Sequence, residues 1–332
     1  MSGFITQDHG IGAVKSETSY GTDAFGGGAP ADTDVLPFAN LALTQTLNVV
    51  EGDRLTATAA GECHGLSPQN TAVEWDVILT GSTGPGLLPN VDAILHACGF
   101  AATVDASTSV SYSPTLVNDS TTTPSATFLH YERVITSNEA RRIMARGVKS
   151  NLAMTLTMGA EARISGSGIG LYNAYPNAPS ALPTLPDSYG GDQCAWIVNS
   201  LVLSVGNVNY PVNELTFATN WTLLENMTGA ASGGGTTSRV LLTLPKSGAR
   251  FGGSFNLVDG AAALTAAING GQSGAKLALS ATITKGARTI VLTIPAVQLG
   301  IGAPTNEVFA IPYFAVRVDG TNGNDHVSLV FA

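Results

Sequence analysis

The stretch from Ala72 to Gly99, AVEWDVILTGSTGPGLLPNVDAILHACG, narrows what this chain can fold into. Its first part reads as a half-buried strand. Val73, Trp75, Val77 and Leu79 alternate with Glu74, Asp76 and Ile78, the period of two of a chain with one face inward. Beyond Pro89 and Asn90 the period becomes helical, because Val91, Ile94, Leu95 and Cys98 fall at i, i+3, i+4 and i+7. Asn90 can cap this helix and Gly99 can end it, which leaves about two turns. The same grammar returns in FGGSFNLVDGAAALTAAING. There Phe255 and Leu257 mark the strand, Asp259 the cap, Ala261, Leu264 and Ile268 the apolar stripe, and Gly270 the stop. Few other helices are legible. The expectation is a mainly β protein built twice around a strand and one short helix.

Hydrophobic residues make up 44% of the 332, enough to fill a core, while charged residues are only 12%. Ser, Thr, Gly and Ala fill the gap, which suits strands and turns. A surface so poor in charge points to assembly, with copies of the chain covering one another. The net charge is −9, from 24 acidic and 15 basic residues, so the chain lacks the global basic footprint of a sequence-specific DNA binder. Cys63, Cys98 and Cys194 are odd in number and form no CxxC, which argues against a disulfide framework and for a reducing compartment. The opening MSGFITQDHG has neither the basic nor the apolar region of a secretory signal. No apolar run reaches the roughly 20 residues of a membrane helix. A soluble protein made in a cytoplasm is expected.

Residues 1–35 show no sustained period and read as an extended N-terminal arm. Leu41, Leu43, Leu47 and Val49 then alternate, with residues 55–60 as a return strand around the turn Glu51-Gly52-Asp53. A Ser/Thr-rich segment surrounds Val110 and Tyr112. Residues 126–135 and 140–148 bracket Ser137-Asn138-Glu139 as a hairpin. NLAMTLTMG is the cleanest alternation, with Leu152, Met154, Leu156 and Met158 on one side. A Gly-rich strand at 162–172 closes this half. Pro176, Pro179, Pro183 and Pro186 mark residues 176–195 as a semi-rigid connector. Beyond it, residues 200–204 echo 40–44, and 277–283 with 289–294 echo the late hairpin. Strands at 313–318 and 326–331 finish the chain. Residues 36–175 and 196–332 are therefore expected to be tandem β domains of a duplicated chain, sharing the order of strands and not identity.

Motifs for catalysis are missing: there is no GxxxxGK[ST], HExxH or CxxC, and the glycine clusters at 81–84 and 166–170 lack the strand–glycine–helix order of a phosphate cradle. His9, His64, His96, His130 and His326 are scattered without ligand spacing. Asp319, Thr321, Asn324 and Asp325 have the oxygen chemistry of a Ca²⁺ loop, but an Asn/Asp/Gly hairpin loop explains the same residues without a metal and is the preferred reading. No metal or cofactor is expected, nor an enzyme. One charge feature stands apart. Arg133, Arg141, Arg142, Arg146 and Lys149 gather basic charge on the late hairpin of an acidic protein, either as a solvated strand face or as contacts to an acidic neighbouring copy.

The ordered set of features resembles the major tail tube proteins of long-tailed bacteriophages. VKSETSYGTD at 14–23 is similar to that family's N-terminal signature, and LPNVDAILHACGF at 88–100 to its first helix. HYERV, MARGVKSNLAMTLTMG and GLY fit its hairpin; FGGSFNLVDG, TIVLTIPAVQL and the closing HVSLVFA fit its C-terminal half. The long Pro-rich connector and the Gly-rich segment 230–235 depart from the pattern. The resemblance implies two tandem tail-tube-type β-sandwich or barrel domains, each with one short α-helix, plus the N-terminal arm and loops. It implies a virion protein, assembled in the bacterial host cytoplasm, whose rings stack into the conduit for the genome. In such rings sheets of neighbouring subunits join into a continuous wall. Tape-measure, tail-terminator and distal tail proteins are the implied partners, with DNA passing through the lumen and no sequence-specific binding. Tyr20 and Gly21 in the signature join Arg133, Arg141, Arg142, Arg146 and Lys149 as candidate inter-subunit contacts. If each half is one tube unit, three chains form a pseudo-hexameric ring. Competing classes are a β-sandwich decoration or receptor-binding protein, which would not polymerise, and a hydrolase, for which no residues point.

Overall fold

The computed structural model describes residues 10–50, 65–80, 84–115, 124–133, 139–173, 180–181, 183, 196–205, 208–229, 235–243, 251–258, 269, 274, 276–286, 288–300, 303–305, 308–316 and 326–332. The first half carries β1 (Ile11–Ser16), β2 (Val35–Leu36), β3 (Phe38–Val50), β4 (Gly65–Ile78) and the helix α1 (Asp92–Ala97). It continues with β5 (Phe100–Asp105), β6 (Ser109–Pro114), β7 (Ala126–Arg133), β8 (Glu139–Ser150), β9 (Ala153–Thr157), β10 (Arg163–Leu171) and β11 (Ser180–Ala181). The second half carries β12 (Leu201–Val205), β13 (Val208–Thr219), β14 (Thr222–Gly229), β15 (Gly235–Thr243) and β16 (Phe251–Val258). Then come β17 (Leu277–Lys285), β18 (Arg288–Leu299), β19 (Ala303–Thr305), β20 (Val308–Ala315) and β21 (Ser328–Phe331). The protein is mainly β, as expected, with antiparallel pairing throughout.

Each half closes a circuit of strands. In the first, β1 pairs with β7, β7 with β8, β8 with β10, β10 with β4 and β4 with β3. Pro37 then makes the corner. It joins β3 to β2, which pairs back onto β1. A proline suits this break because it has no N–H to offer either ladder. In the second half β12 pairs with β17, β17 with β18, β18 with β20, β20 with β16, β16 with β13 and β13 with β12. Closure removes most of the sheet edge that a β-rich, charge-poor chain would otherwise expose.

The two circuits share their irregularities. Ala126 faces Val148 and Phe128 faces Ala145, which leaves one surplus residue on β8. Leu277 faces Val297 and Leu279 faces Ile294, with the same surplus on β18. A second bulge lies between Phe38 and Asn40, opposite Val77 and Asp76, and recurs between Val212 and Glu214, opposite Leu257 and Asn256. Just past β8 the Asn151 N–H donates to Ser167 O at 2.9 Å; just past β18 the Gly300 N–H donates to Pro312 O at 2.7 Å. A bulge bends a strand and raises its twist, so matching bulges bend both circuits at matching places. By pairing, β12 is the counterpart of β1 and β13 that of β2 and β3. The echo of 40–44 in 200–204 is therefore displaced by one strand.

Two ladders stitch the halves together. β9 pairs with β13 over five residues, from Thr157 opposite Glu214 to Ala153 opposite Ala218. β6 pairs with β21, Tyr112 lying opposite Leu329 and Val110 opposite Phe331. The main buried cluster runs from Val14, Trp75 and Ile94 to Leu215, Phe255 and Phe331. Trp196 and Trp221 bury their rings there and send their indole N–H groups to first-half carbonyls, Thr80 O at 3.0 Å and Cys98 O at 3.1 Å. The hairpin β14–β15 stands as its own two-stranded sheet against β4, β8 and β10.

The organising stretch forms as read, with two adjustments. Val73, Trp75 and Val77 point inward on β4, and Val91, Ile94, Leu95 and Cys98 are fully buried. Gly99 ends the helix with φ +82, a conformation that costs a residue with a Cβ. Asn90 is not the cap. Its side-chain N–H donates to Thr80 Oγ1 at 2.6 Å and ties the helix entry to the end of β4. The second expected helix, at 259–268, lies outside the described residues, as do the return strand at 55–60 and the loop at 319–325.

Three readings change. Of residues 1–35, the part from Ile11 onward is no loose arm: β1 lies between β2 and β7 with Ala13 and Val14 buried. Gly12, Ala13 and Val14 are buried in succession on both faces of the strand, so no period of two shows, which hid it. Met158 does not share the inward side of Leu152, Met154 and Leu156, because β9 ends at Thr157 and Met158 is exposed in the following turn. Within 176–195, little of which is described, Ser180 and Ala181 are a strand paired with β8.

Candidate functional site

Three of the candidate contact residues, Tyr20, Gly21 and Lys149, sit near one buried carboxylate that the sequence reading passed over. Glu17 follows β1 directly and is almost inaccessible. Its carboxylate accepts the Gly21 N–H at 2.7 Å, the Gly147 N–H at 2.7 Å, the Thr127 hydroxyl at 2.8 Å and the Ser125 hydroxyl at 2.5 Å. Four donors satisfy a charge that would otherwise be prohibitive to bury. Gly21 has φ +73 and Gly147 φ +61, and a Cβ on Gly147 would stand 2.9 Å from the Tyr20 ring. Both glycines are therefore needed for backbone N–H groups to converge on Glu17.

Tyr20 reaches from this turn into the second half. Its hydroxyl accepts the Val240 N–H of β15 at 2.6 Å, and the Arg239 guanidinium lies 5.8 Å from its ring centroid. Burial pushes its pKa up to about 12, and the Glu17 charge adds to the rise. Lys149 is fully buried on β8 and donates to Pro124 O at 2.6 Å. Burial lowers its pKa to about 7, against the opposing pull of Glu17.

The arginines divide. Arg142 holds the loop that follows Gly21: it donates to Gly27 O at 3.1 Å and pairs with Asp23 at 3.5 Å, whose carboxylate also takes the N–H groups of Phe25 and Gly27. Arg141 is the more open, with 39% of its side chain exposed and its Nε 3.5 Å from Glu132. Arg146 lies on the stretch of β8 that pairs with β10, opposite Leu171. Arg133 ends β7 opposite Ala140, apart from the Glu17 centre. The structure thus brings Tyr20, Gly21 and Lys149 together inside one chain. Glu17, Ser125, Thr127 and Gly147 were missed; a lone carboxylate three residues before a Tyr-Gly pair, in a segment of hydroxyls, was the available signal.

A second feature is a shallow groove of about 400 Å³ on the outer face of the sheet, crossing both halves. Asn40, Glu74, Asp76, Ser165, Ser167 and Thr219 are among its walls. Arg163 beside it is already paired with Asp76 at 3.4 Å and Glu161 at 2.8 Å. Among the described residues no group of His, Cys, Asp and Glu is placed to hold a metal ion, and no helix is long and apolar enough to cross a membrane.

These features describe a β protein in which buried charge clamps strands together and the open sheet face carries carboxylates and hydroxyls. The chain belongs to a family of phage tail tube proteins, since a family model described as "Phage tail tube protein" matches residues 7–325. No curated protein matches the chain. It is accordingly a structural component of a phage tail.

Proposed function

We propose that the protein polymerises into rings that stack into a hollow tail tube, and that phage DNA passes through that tube into the host. Each strand circuit is one tube unit, so three chains supply six units to a ring. The observation that carries this is the repetition of strand order, register and both bulges between the halves. A head-to-tail contact repeated six times closes a ring, and the internal contact between the two units is half of that symmetry already made. The outer sheet face suits a passing polyanion. Its carboxylates Glu74, Asp76 and Glu214 repel phosphate, and its Arg163 is neutralised by neighbours. Arg141, open to solvent, is the best placed of the basic cluster to meet an acidic neighbour, while Tyr20, Gly21 and Lys149 act within the chain. Tape-measure, tail-terminator and distal tail proteins would meet the ends of such a tube. Electron microscopy of the assembled protein tests the reading. Hollow tubes with three chains per ring are expected; six chains per ring would sink the trimer, and a protein that stays monomeric at high concentration would favour a decoration or receptor-binding role.

A further inference from the structure

The internal junction between the halves leaves its own counterpart open at the outside of the chain. Through the junction runs one sheet, in the order β3–β4–β10–β9–β13–β16–β20–β19. Its middle step is β9 against β13. β9 is the strand that continues β8 past its bulge and folds back on β10. β19 continues β18 in the same way and folds back on β20: Ala303, Pro304 and Thr305 face Ala310, Phe309 and Val308. β9 uses its second edge to pair with β13, whereas β19 has no partner on its second edge among the described residues. The receiving strand behaves likewise. β13 takes β9 at Glu214–Ala218, and the matching positions of its counterpart β3 are Asn40 to Thr44, whose outer edge is unpaired among the described residues. Asn40 and Thr44 are exposed, while Leu41 and Leu43 between them are buried in the core and fix which way the strand faces.

We propose that this pair of open edges is the seam between neighbouring copies, with Asn40–Thr44 of β3 in one chain receiving β19 of the next. The proposal rests on the ring reading above and gives it residues. The register follows from the internal junction. Ala218 lies opposite Ala153, Phe217 opposite Met154 and Thr216 opposite Thr155. Carried to the outer edges, Thr44 lies opposite Ala303 of the neighbouring copy, Leu43 opposite Pro304 and Ala42 opposite Thr305. Continuity of the sheet favours a second copy over any other occupant, because the same ladder already exists once inside each chain. An open strand edge on a free subunit is a pairing hazard that ring closure removes. Pro304 fits the role of an edge: it withholds one backbone donor, so the seam has fewer hydrogen bonds than the internal junction and forms later and more reversibly.

Paired cysteines test the register. Directly opposed residues on antiparallel strands have Cβ atoms about 4.5–5.5 Å apart, close enough for a disulfide after small adjustment. The double variant Thr44→Cys/Ala303→Cys, oxidised after tube assembly, should give a ladder of covalent species that stops at the trimer on a non-reducing denaturing gel. Neither single variant should give it. Ala42→Cys/Thr305→Cys is a second pair from the same register, and Ala153→Cys/Ala218→Cys, its internal counterpart, should close within one chain. Tubes seen by microscopy without any inter-chain link from either pair would overturn the seam and leave the tube reading standing. Failure of the unmodified chain to form tubes would overturn the reading beneath it.

Discussion

The two strand circuits keep the same register while exchanging the bulk that fills them. On the first, Val73 faces Gly168 and Trp75 faces Gly166; at the matching places on the second, Gly253 faces Tyr313 and Phe255 faces Ile311. At the first pair the large side chain changes strand, from Val73 on β4 to Tyr313 on β20; at the second it stays in place, Trp75 being matched by Phe255. Each glycine is held small first by backbone and then by its neighbour: a Cβ on Gly166 would stand 2.1 Å from Asn151 O and 2.5 Å from the Trp75 ring, and one on Gly253 would stand 2.0 Å from Thr216 O and 2.8 Å from the Tyr313 hydroxyl oxygen. That hydroxyl donates to Thr216 O at 2.6 Å. At the first pair volume is thus balanced across the strands and not at a position, which lets sequence likeness fade while backbone pairing persists. Polar content separates the circuits further. The first has a charged centre at Glu17 and Lys149; the residue matching Lys149 on β18 is Gln298, which donates to Gly274 O. At the shared bulge the first circuit needs Gly147 at φ +61, and the second manages with Ala296.

Three measurements press on this contrast. The largest effect is expected from Glu17→Ala, which leaves the Gly21 and Gly147 N–H groups without their acceptor and removes the carboxylate facing Lys149. Loss of about 3–5 kcal/mol in urea denaturation is the expectation, and a loss under about 1 kcal/mol would show that the turn after β1 is held by something else. Next comes the bulge. Gly147→Ala should cost about 1–3 kcal/mol because of its left-handed φ and the Tyr20 ring, whereas Ala296→Gly should cost no more than about 1 kcal/mol. Equal costs would mean that the two bulges do not differ in strain. The smallest effect is a pH slope confined to the first circuit. The lowered pKa of Lys149 means the folded state holds fewer protons than the unfolded one between about 7 and 10.5. Stability should therefore rise with pH across that window, by at most about 1.4 kcal/mol per pH unit, and fall away as pH drops toward 7. Lys149→Gln, which installs the residue of the second circuit, should flatten the slope; an unchanged slope would place its origin elsewhere.

Much of the architecture was legible where one face of an element is wet. β4, β6, β9, β17 and β18 show their alternation because inward and outward residues differ in polarity. β1 did not, since Gly12, Ala13 and Val14 are buried in succession, which takes in both faces of the strand and erases the period of two there. The site was half legible. Tyr20, Gly21 and Lys149 were singled out, but charge clustering suggested an exposed surface, and only the fold reveals that Lys149 is buried and that Glu17 lies at the centre of its neighbourhood. Which strand matches which was also beyond reach: the bulges that align β3 with β13 are properties of backbone pairing and leave no residue type behind.

The ladder between β6 and β21 bears on how the subunit comes into being. Tyr112 waits for a partner, Leu329, that lies roughly 200 positions further along, and closing so long a loop is slow compared with forming a hairpin. During synthesis the first circuit can complete its own hydrogen bonds while β6 and the ring of Tyr112, against which Phe331 later packs at 5.8 Å, stay uncovered. β21 therefore covers this edge of β6 only after the strands of both circuits have been made.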